Sequence, residues 1–247
     1  MRFAGHDIAR AMAIYAHPDD AEFGMAGTVA RWTKAGVEMT YVLATNGASG
    51  SQDPKMTRQR LAAIRKREQD EAAKILGVTR VVYLGYEDGY LYPTLEVRRD
   101  VARVIRKHRP DVVLTLDPEF RVGGEYVNHP DHIAIGEVVL RSINPDASTR
   151  QMFPELWRKE HLEPHKPKAL LLNAFDETAD TIVDITATLA VKLRALRAHR
   201  SQIEPGFEDF VRGFGRQIGK RRRYRYAEAF RLIPLERPAA RPRRHRS

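Results

Sequence analysis

The chain has 247 residues, no cysteine, and 42 Lys and Arg against 32 Asp and Glu, for a formal charge of +10. That length fits one large α/β domain, and 43% hydrophobic residues are ample for a buried core. Without a thiol there are no disulfides, thiolate metal sites or cysteine nucleophiles, so any metal must be held by His, Asp or Glu. No apolar run approaches the roughly 20 residues of a membrane span. The first residues, Met1 to Asp7, lack the apolar core of a signal peptide, and cytoplasmic residence is expected. The charge is local: eleven Lys and Arg lie from Lys220 onward against only Glu228 and Glu236, and the preceding body is close to neutral. Basicity therefore belongs to the carboxyl-terminal end and says little about a substrate.

An apolar run over residues 11–16 stops at His17-Pro18-Asp19-Asp20, and residues 24–35 carry Met25, Val29 and Trp32 at helical spacing before Gly36 ends them. This reads as strand, turn, helix. Open α/β sheets bind ligands at such turns, which makes His17 and Asp20 candidate metal ligands. Residues 37–44 form a second strand. The glycine-bearing loop 45–50 after it fits neither a Walker loop nor a dinucleotide fingerprint, and is expected to be a flexible connection. Residues 57–76 are a charge-rich helix with Leu61, Ile64, Ala72, Ile75 and Leu76 as its buried stripe. A third strand, 80–84, exits near Asp88, and a third helix, 95–108, is closed by Pro110.

Residues 111–117, apolar on both faces, form a fourth and central strand. Beyond the loop 118–128 comes a second polar cluster, His129-Pro130-Asp131-His132, which opens a helix. Pro130 suits its first position, and the positive helix end keeps His132 neutral and able to coordinate. The proline-punctuated stretch 144–168 is expected to be an irregular excursion or lid, with His161 and His165 exposed. Strands at 169–174 and 181–185 precede a helix over 186–200, and residues 224–233 make a further compact piece. A single domain thus spans 1–237, followed by a basic tail, 238–247, expected to be disordered.

Alternating β and α elements predict a Rossmann-like, three-layer α/β fold with a mostly parallel sheet and right-handed crossovers. In the doubly wound order the first and fourth strands are neighbours, so the two polar clusters face one crevice. Either cluster alone could be a turn with a helix-capping aspartate or a proline-initiated helix start. Their meeting argues instead for a divalent metal held by two imidazoles and one carboxylate, with open positions left over. Asp19, beside Asp20, is then a free carboxylate able to take a proton from an activated water, and His129 could stabilise an oxyanion or protonate a leaving amine.

Ala16-His17-Pro18-Asp19-Asp20-Ala21-Glu22 and His129-Pro130-Asp131-His132, in this order, resemble the two signature motifs of the LmbE-like, or PIG-L, family of zinc-dependent N-deacetylases. Arg65-x-x-Glu68 leading to Ala72-Ala73-x-x-Leu76-Gly77 is similar to the family's second helix. His199-x-Ser201-Gln202 and Tyr226-Ala227-Glu228-Ala229-Phe230 resemble its carboxyl-terminal half. The resemblance implies zinc bound by His17, Asp20 and His132, Asp19 as general base, and His129 as electrostatic stabiliser or acid, oriented by Asp131. It further implies that Arg65 and Asp88 contact a sugar, and for His199 it leaves open packing or a place at the site rim. Some relatives carry a tyrosine close before the second motif; here Val127 and Asn128 stand there and Tyr126 is displaced.

The implied activity is removal of an acetyl group from a small-molecule N-acetylglucosamine-type sugar or its conjugate, with no membrane partner. Cleavage of a larger amide conjugate by an amidase of the same family is the near alternative. Two others remain: the same ligand triad suits a non-haem Fe(II) oxygenase, and the arginine-rich end, lacking a reading motif, would bind nucleic acid weakly if at all.

Overall fold

Residues 11–16 show why the chain folds as a doubly covered sheet. Ala11, Ala13 and Tyr15 face one apolar core while Met12, Ile14 and Ala16 face another, and all six are at most 2% exposed. Period-two burial on both faces requires a strand inside a sheet with helices on each side. The computed structural model describes residues 1–119, 122–123, 126–174 and 176–237, with 122, 123 and 126 as backbone only.

A small hairpin of β1 (Arg2–Phe3) and β2 (His6–Asp7) leads into β3 (Arg10–Tyr15). The other strands are β4 (Glu38–Thr45), β5 (Arg80–Tyr86), β6 (Val112–Leu116), a second hairpin of β7 (Val122–Gly123) and β8 (Tyr126–Val127), β9 (Ala169–Asn173), β10 (Thr181–Asp184) and β11 (Ala227–Pro234). Seven of them form one sheet in the order β10-β11-β9-β6-β3-β4-β5. It is parallel from β9 to β5, and β11 is antiparallel to both of its neighbours. The helices are α1 (Asp20–Gly24), α2 (Ala26–Lys34), α3 (Arg58–Leu76), α4 (Leu95–His108), α5 (Pro130–Arg141), α6 (Pro154–Arg158), α7 (Leu189–Leu196) and α8 (Phe207–Lys220). Helices α2, α3 and α7 cover the face of Ala13, and α4 and α5 cover the face of Ile14. The expected α/β fold is present, and β3 lies beside β6 with Ala11 opposite Val112 and Ile14 opposite Thr115. The loops leaving these two strands therefore open side by side.

Several local expectations change. The helix expected over 24–35 is two helices, because α1 begins at Asp20 and Met25, with φ −150°, breaks the run. The helix expected over 186–200 is only Leu189–Leu196: Asp184 accepts the Thr186 N–H at 2.9 Å and holds the entry as a turn. Helix α8 falls on residues assigned no element above, although Phe207, Phe210, Val211, Phe214 and Ile218 carry a helical period. Gly213, Gly215 and Gly219, poor helix formers, obscure it.

The stretch 144–168 is mostly irregular, as expected, but it is no lid. It packs where the parallel strands begin, away from the loops that carry the polar clusters. Arg106, 2% exposed, donates there to the carbonyls of Asp146, Ala147, Thr149 and Met152. His165, expected to be exposed, is half-buried with Nε2 2.7 Å from the Pro110 carbonyl, whereas His161 is exposed. Among the described residues no helix is long and apolar enough to cross a membrane. The tail 238–247 lies outside the described residues.

Candidate active site

The first polar cluster stands where β3 runs out of apolar sequence, and the second follows the β7–β8 hairpin at the start of α5. After β3 the chain turns at Pro18 and enters α1, and the His17 N–H donates to Asp20 Oδ2 at 2.8 Å, folding the aspartate back toward the imidazole. At the second cluster His129 caps α5: its Nδ1 accepts the Asp131 N–H at 3.1 Å, and Pro130 takes the first helical turn. This leaves Nε2 of His129 free for other contacts, with His132 one turn into the helix.

Three side chains then bring their donor atoms together. His132 Nε2 is 3.0 Å from Asp20 Oδ1 and 3.2 Å from His17 Nδ1, and His17 Nδ1 is 3.5 Å from Asp20 Oδ2. A tetrahedral ion with bonds of about 2.0–2.1 Å sets its ligand atoms about 3.3 Å apart, and these separations, which use both oxygens of Asp20, are of that size. The His129 ring stands edge-on to His17, with centroids 4.7 Å apart, and brings a third imidazole to the cluster.

The electrostatics point the same way. Burial disfavours a charged His17 ring, but Asp20, Asp131 and Asp88 outweigh it and push its pKa up to about 12. His17 Nε2 faces Asp88 Oδ1 at 3.0 Å and Asp131 Oδ2 at 3.2 Å. Three carboxylates around one ring make an excess of negative charge that a divalent cation would neutralise, displacing the proton. Carboxylates behind a ligating imidazole also fix its ring and tautomer. Burial, opposed and outweighed by His132 and His17, leaves Asp20 well below the usual carboxylate range. Burial and the neighbouring His17 and His132 push His129 down.

Asp19 is the strained member. Its φ of 94° lies in the left-handed region, unusual for a residue other than glycine. Gln69 holds it there by accepting its N–H at 3.1 Å, and Arg65 Nη2 stands 3.2 Å from Asp19 Oδ2 while also donating to the Pro18 carbonyl. Burial raises the Asp19 pKa to about 6, with Asp20 adding to the rise and Arg65 opposing it. That value suits a proton acceptor near neutrality.

Three sequence expectations look different in three dimensions. Asp131 was expected to orient His129, but its carboxylate accepts from Gly89 N–H at 2.8 Å and Leu91 N–H at 3.2 Å and meets His17 instead. The His129 cap takes only the Asp131 backbone, so the side chain swings to the 88–91 loop. Arg65, expected at the sugar, is 4% exposed and contacts Asp19. Asp88, with the same expectation, is 3% exposed, faces His17 and accepts the Ser49 N–H at 2.8 Å; against burial, the His17 contact first and the Ser49 N–H second lower its pKa to about 2.

The glycine loop is anchored rather than free. A Cβ at Gly47, whose φ is 67°, would come within 2.8 Å of the Arg65 guanidinium, so glycine is what lets the loop close over that side chain. His199, left open between packing and the rim, is fully buried with Nε2 3.2 Å from Glu22 Oε2. Glu22 also accepts from Gln69 Nε2 at 3.2 Å, so Asp19, Gln69, Glu22 and His199 form one chain of contacts. Gln69 was missed above. Its signal was a polar residue on the buried stripe of α3, where Arg65, Glu68 and Gln69 interrupt Leu61, Ala72 and Leu76. The side chain of Tyr126 is outside the described residues.

With this geometry in place, comparison with known proteins is informative. Residues 12–143 match the family model described as PIG-L, GlcNAc-PI de-N-acetylase. The chain is 32% identical over 237 residues to a diacetylchitobiose deacetylase of Thermococcus kodakarensis, covering 93% of this chain and 85% of that one. It is 27% identical over 230 residues to a probable N-acetyl-alpha-D-glucosaminyl L-malate deacetylase 2 of Bacillus anthracis, covering 91% and 95%. The N,N'-diacetylchitobiose deacetylase of Pyrococcus horikoshii, solved with an inhibitor, superposes with a TM-score of 0.85 at 33% identity over 92% of this chain and 85% of that one. The chain belongs to the PIG-L, or LmbE-like, family of de-N-acetylases.

Proposed function

We propose that the protein is a zinc-dependent hydrolase that removes the N-acetyl group from an N-acetylglucosamine-type sugar or a small conjugate of one. The observation that carries this reading is the convergence of His17 Nδ1, Asp20 Oδ1 and His132 Nε2 beside a carboxylate, Asp19, whose pKa is raised to about 6. An oxygenase with the same ligand triad would have no use for that base, and the relatives named above are deacetylases. When bound, a divalent ion at these three residues would supply Lewis acidity, polarising the amide carbonyl and acidifying a water.

The chain's own residues would do the rest. Asp19, held in its left-handed conformation by Gln69 and Arg65, takes the proton of the attacking water. His129, whose Nδ1 is occupied by the Asp131 N–H, presents Nε2 to the tetrahedral oxyanion or the departing nitrogen. Asp131 and Asp88 keep His17 in the tautomer that turns Nδ1 to the metal. The sugar would lie on the side of the exposed Ser49, next to the buried Asp88 that accepts its N–H.

The test is acetate release from N-acetylglucosamine and a panel of its glycosides, comparing zinc-loaded wild type with Asp19→Ala and quantifying bound metal in both. Activity in wild type and a loss of about 100- to 10,000-fold in the variant, with metal retained, is the expected result. Stoichiometric zinc in a wild type that releases no acetate would overturn the substrate, and a wild type that takes up no metal would overturn the chemistry.

A further inference from the structure

The metal triad divides the carboxyl end of the sheet into two unlike halves. Over β4 and β5 lie Ser49, Asp88 and Asp131, with Asp88 bonded to Ser49 and both carboxylates facing His17, and Arg65, which holds the Gly47 and Pro18 carbonyls and Asp19. Over β6, β9 and β11, among the described residues, lies a cavity of about 600 Å³ that opens at Asp20 and His132 and runs under α8. Its walls are largely hydrocarbon: Leu116, Ala174 and Ala229 from the strand side, and Phe210, Phe214 and Ile218 from α8. Phe210 and Phe214 stack with centroids 6.1 Å apart and rings 7° from parallel, and Phe210 is 66% exposed.

Away from Asp20, the charged groups lining this side are engaged with the protein itself; Asp117 Oδ1 accepts the Glu119 N–H at 3.1 Å. Lys192 Nζ donates to Glu228 Oε1 and to the Phe23 carbonyl, each at 2.7 Å. Glu228 also accepts the N–H groups of Gly27 at 2.9 Å and Thr28 at 2.7 Å. Asp176 accepts from the Thr178 N–H and hydroxyl. Such a site favours an apolar ligand over one with unpaired hydroxyls.

The position of the cavity says which part of a substrate would enter it. Asp20 and His132 line it, whereas His129, Asp19, Arg65 and Asp88 do not. On the reading proposed above, an amide nitrogen turned to His129 and a sugar lying toward Asp88 direct the acyl substituent to the opposite side of the metal, into the cavity. An acetyl methyl would leave most of that volume empty. We infer that the cavity is an acyl-chain subsite, and that N-acyl amino sugars with linear chains longer than acetyl are better substrates than the N-acetyl sugar. The reaction is the same hydrolysis: oxygen from water bonds to the acyl carbon, the C–N bond breaks, and the proton passes to the leaving nitrogen, giving a fatty carboxylate and a free amino sugar.

The experiment compares two series of equal carbon count: glucosamine N-acylated with acetyl, butanoyl, hexanoyl or octanoyl, and alkyl glycosides of N-acetylglucosamine. kcat/KM is expected to rise about fourfold per added methylene in the first series until the cavity is full, and to stay flat in the second. Calorimetric binding of N-octanoylglucosamine and of octyl N-acetylglucosaminide to the metal-free protein gives a readout that does not depend on turnover, and the N-octanoyl compound is expected to bind at least tenfold more tightly. Phe210→Asp should flatten the acyl series. If no amide is hydrolysed yet this binding preference holds, the reaction reading fails and the subsite stands. If N-acetylglucosamine is hydrolysed but chain length changes neither rate nor binding, the subsite fails and the reaction stands. A rise confined to the glycoside series overturns the inference by assigning the cavity to the aglycone. So does self-association that Phe210→Asp abolishes while the acyl series stays flat, which assigns it to a second copy of the chain.

Discussion

On the β4–β5 side of the metal triad, Asp131 gathers two backbone N–H groups and His17, Asp88 meets Ser49 and His17, and Arg65 bridges Pro18, Gly47 and Asp19. On the β9–β11 side the walls are aliphatic and aromatic, and the Lys192–Glu228 pair is closed on itself. The first half is preorganised: its donors and acceptors hold each other, so the reacting groups need not reorient when substrate arrives. The second half has no directional demands and discriminates by shape and length. One metal site thus joins a half that fixes orientation to a half that sets which chain fits.

The comparison is broken most severely at Asp19. Asp19→Asn should lose about 100- to 10,000-fold in kcat while retaining metal. It should also stabilise the metal-free protein at neutral pH. Because burial raises the Asp19 pKa from 3.8 to about 6, the folded state holds this proton more tightly than the unfolded chain does. Wild-type stability is therefore eroded as pH rises from about 4 to about 6, and the erosion is absent in the variant. The expected gap at pH 7 is on the order of 2–3 kcal/mol in favour of Asp19→Asn, vanishing near pH 3.5, and urea midpoints across pH measure it. A wild type as stable as the variant at pH 7 would show that Asp19 carries no such strain.

Asp131→Asn tests the polar half one step further out. It removes a carboxylate behind His17 and should weaken metal affinity by about 10- to 100-fold, read by competition with a chelator. An unchanged affinity would mean that Asp88 alone orients the ring.

The smallest effect is expected at Gln69. Gln69→Leu leaves the Asp19 N–H without its acceptor and should lower kcat about tenfold with little change in KM or bound metal. An equal loss in KM would instead place Gln69 in substrate binding.

The site and the fold were legible in the sequence to different depths, for physical reasons. Burial on two faces is written into the apolar run 11–16 and into Val112, Val113, Leu114 and Leu116, so the parallel sheet and the adjacency of β3 and β6 followed from local pattern and handedness. The meeting of His17, Asp20 and His132 was legible too, because His17 and Asp20 are three residues apart in one turn, and Pro130 starts the helix that carries His132.

What the sequence could not decide is anything that depends on direction across elements. The Asp131 carboxylate turns to His17 because the Gly89 and Leu91 N–H groups of a separate loop hold it there. Arg65 meets Asp19 only because Gly47 and Gly50 leave room above it, and Gln69 reaches the Asp19 N–H only when α3 lies across the first turn. The apolar half was invisible: α8, glycine-rich and distant in sequence, builds its wall, and the strand-end positions opposite, Ala174 and Ala229, come from separate strands. By itself the sequence determined the parallel sheet and the meeting of the two polar clusters that carry the proposed ligands and base. Only the tertiary structure decided which groups stand behind the proposed ligands and what lies on each side of them, because those contacts join residues from 18 to 200 positions apart.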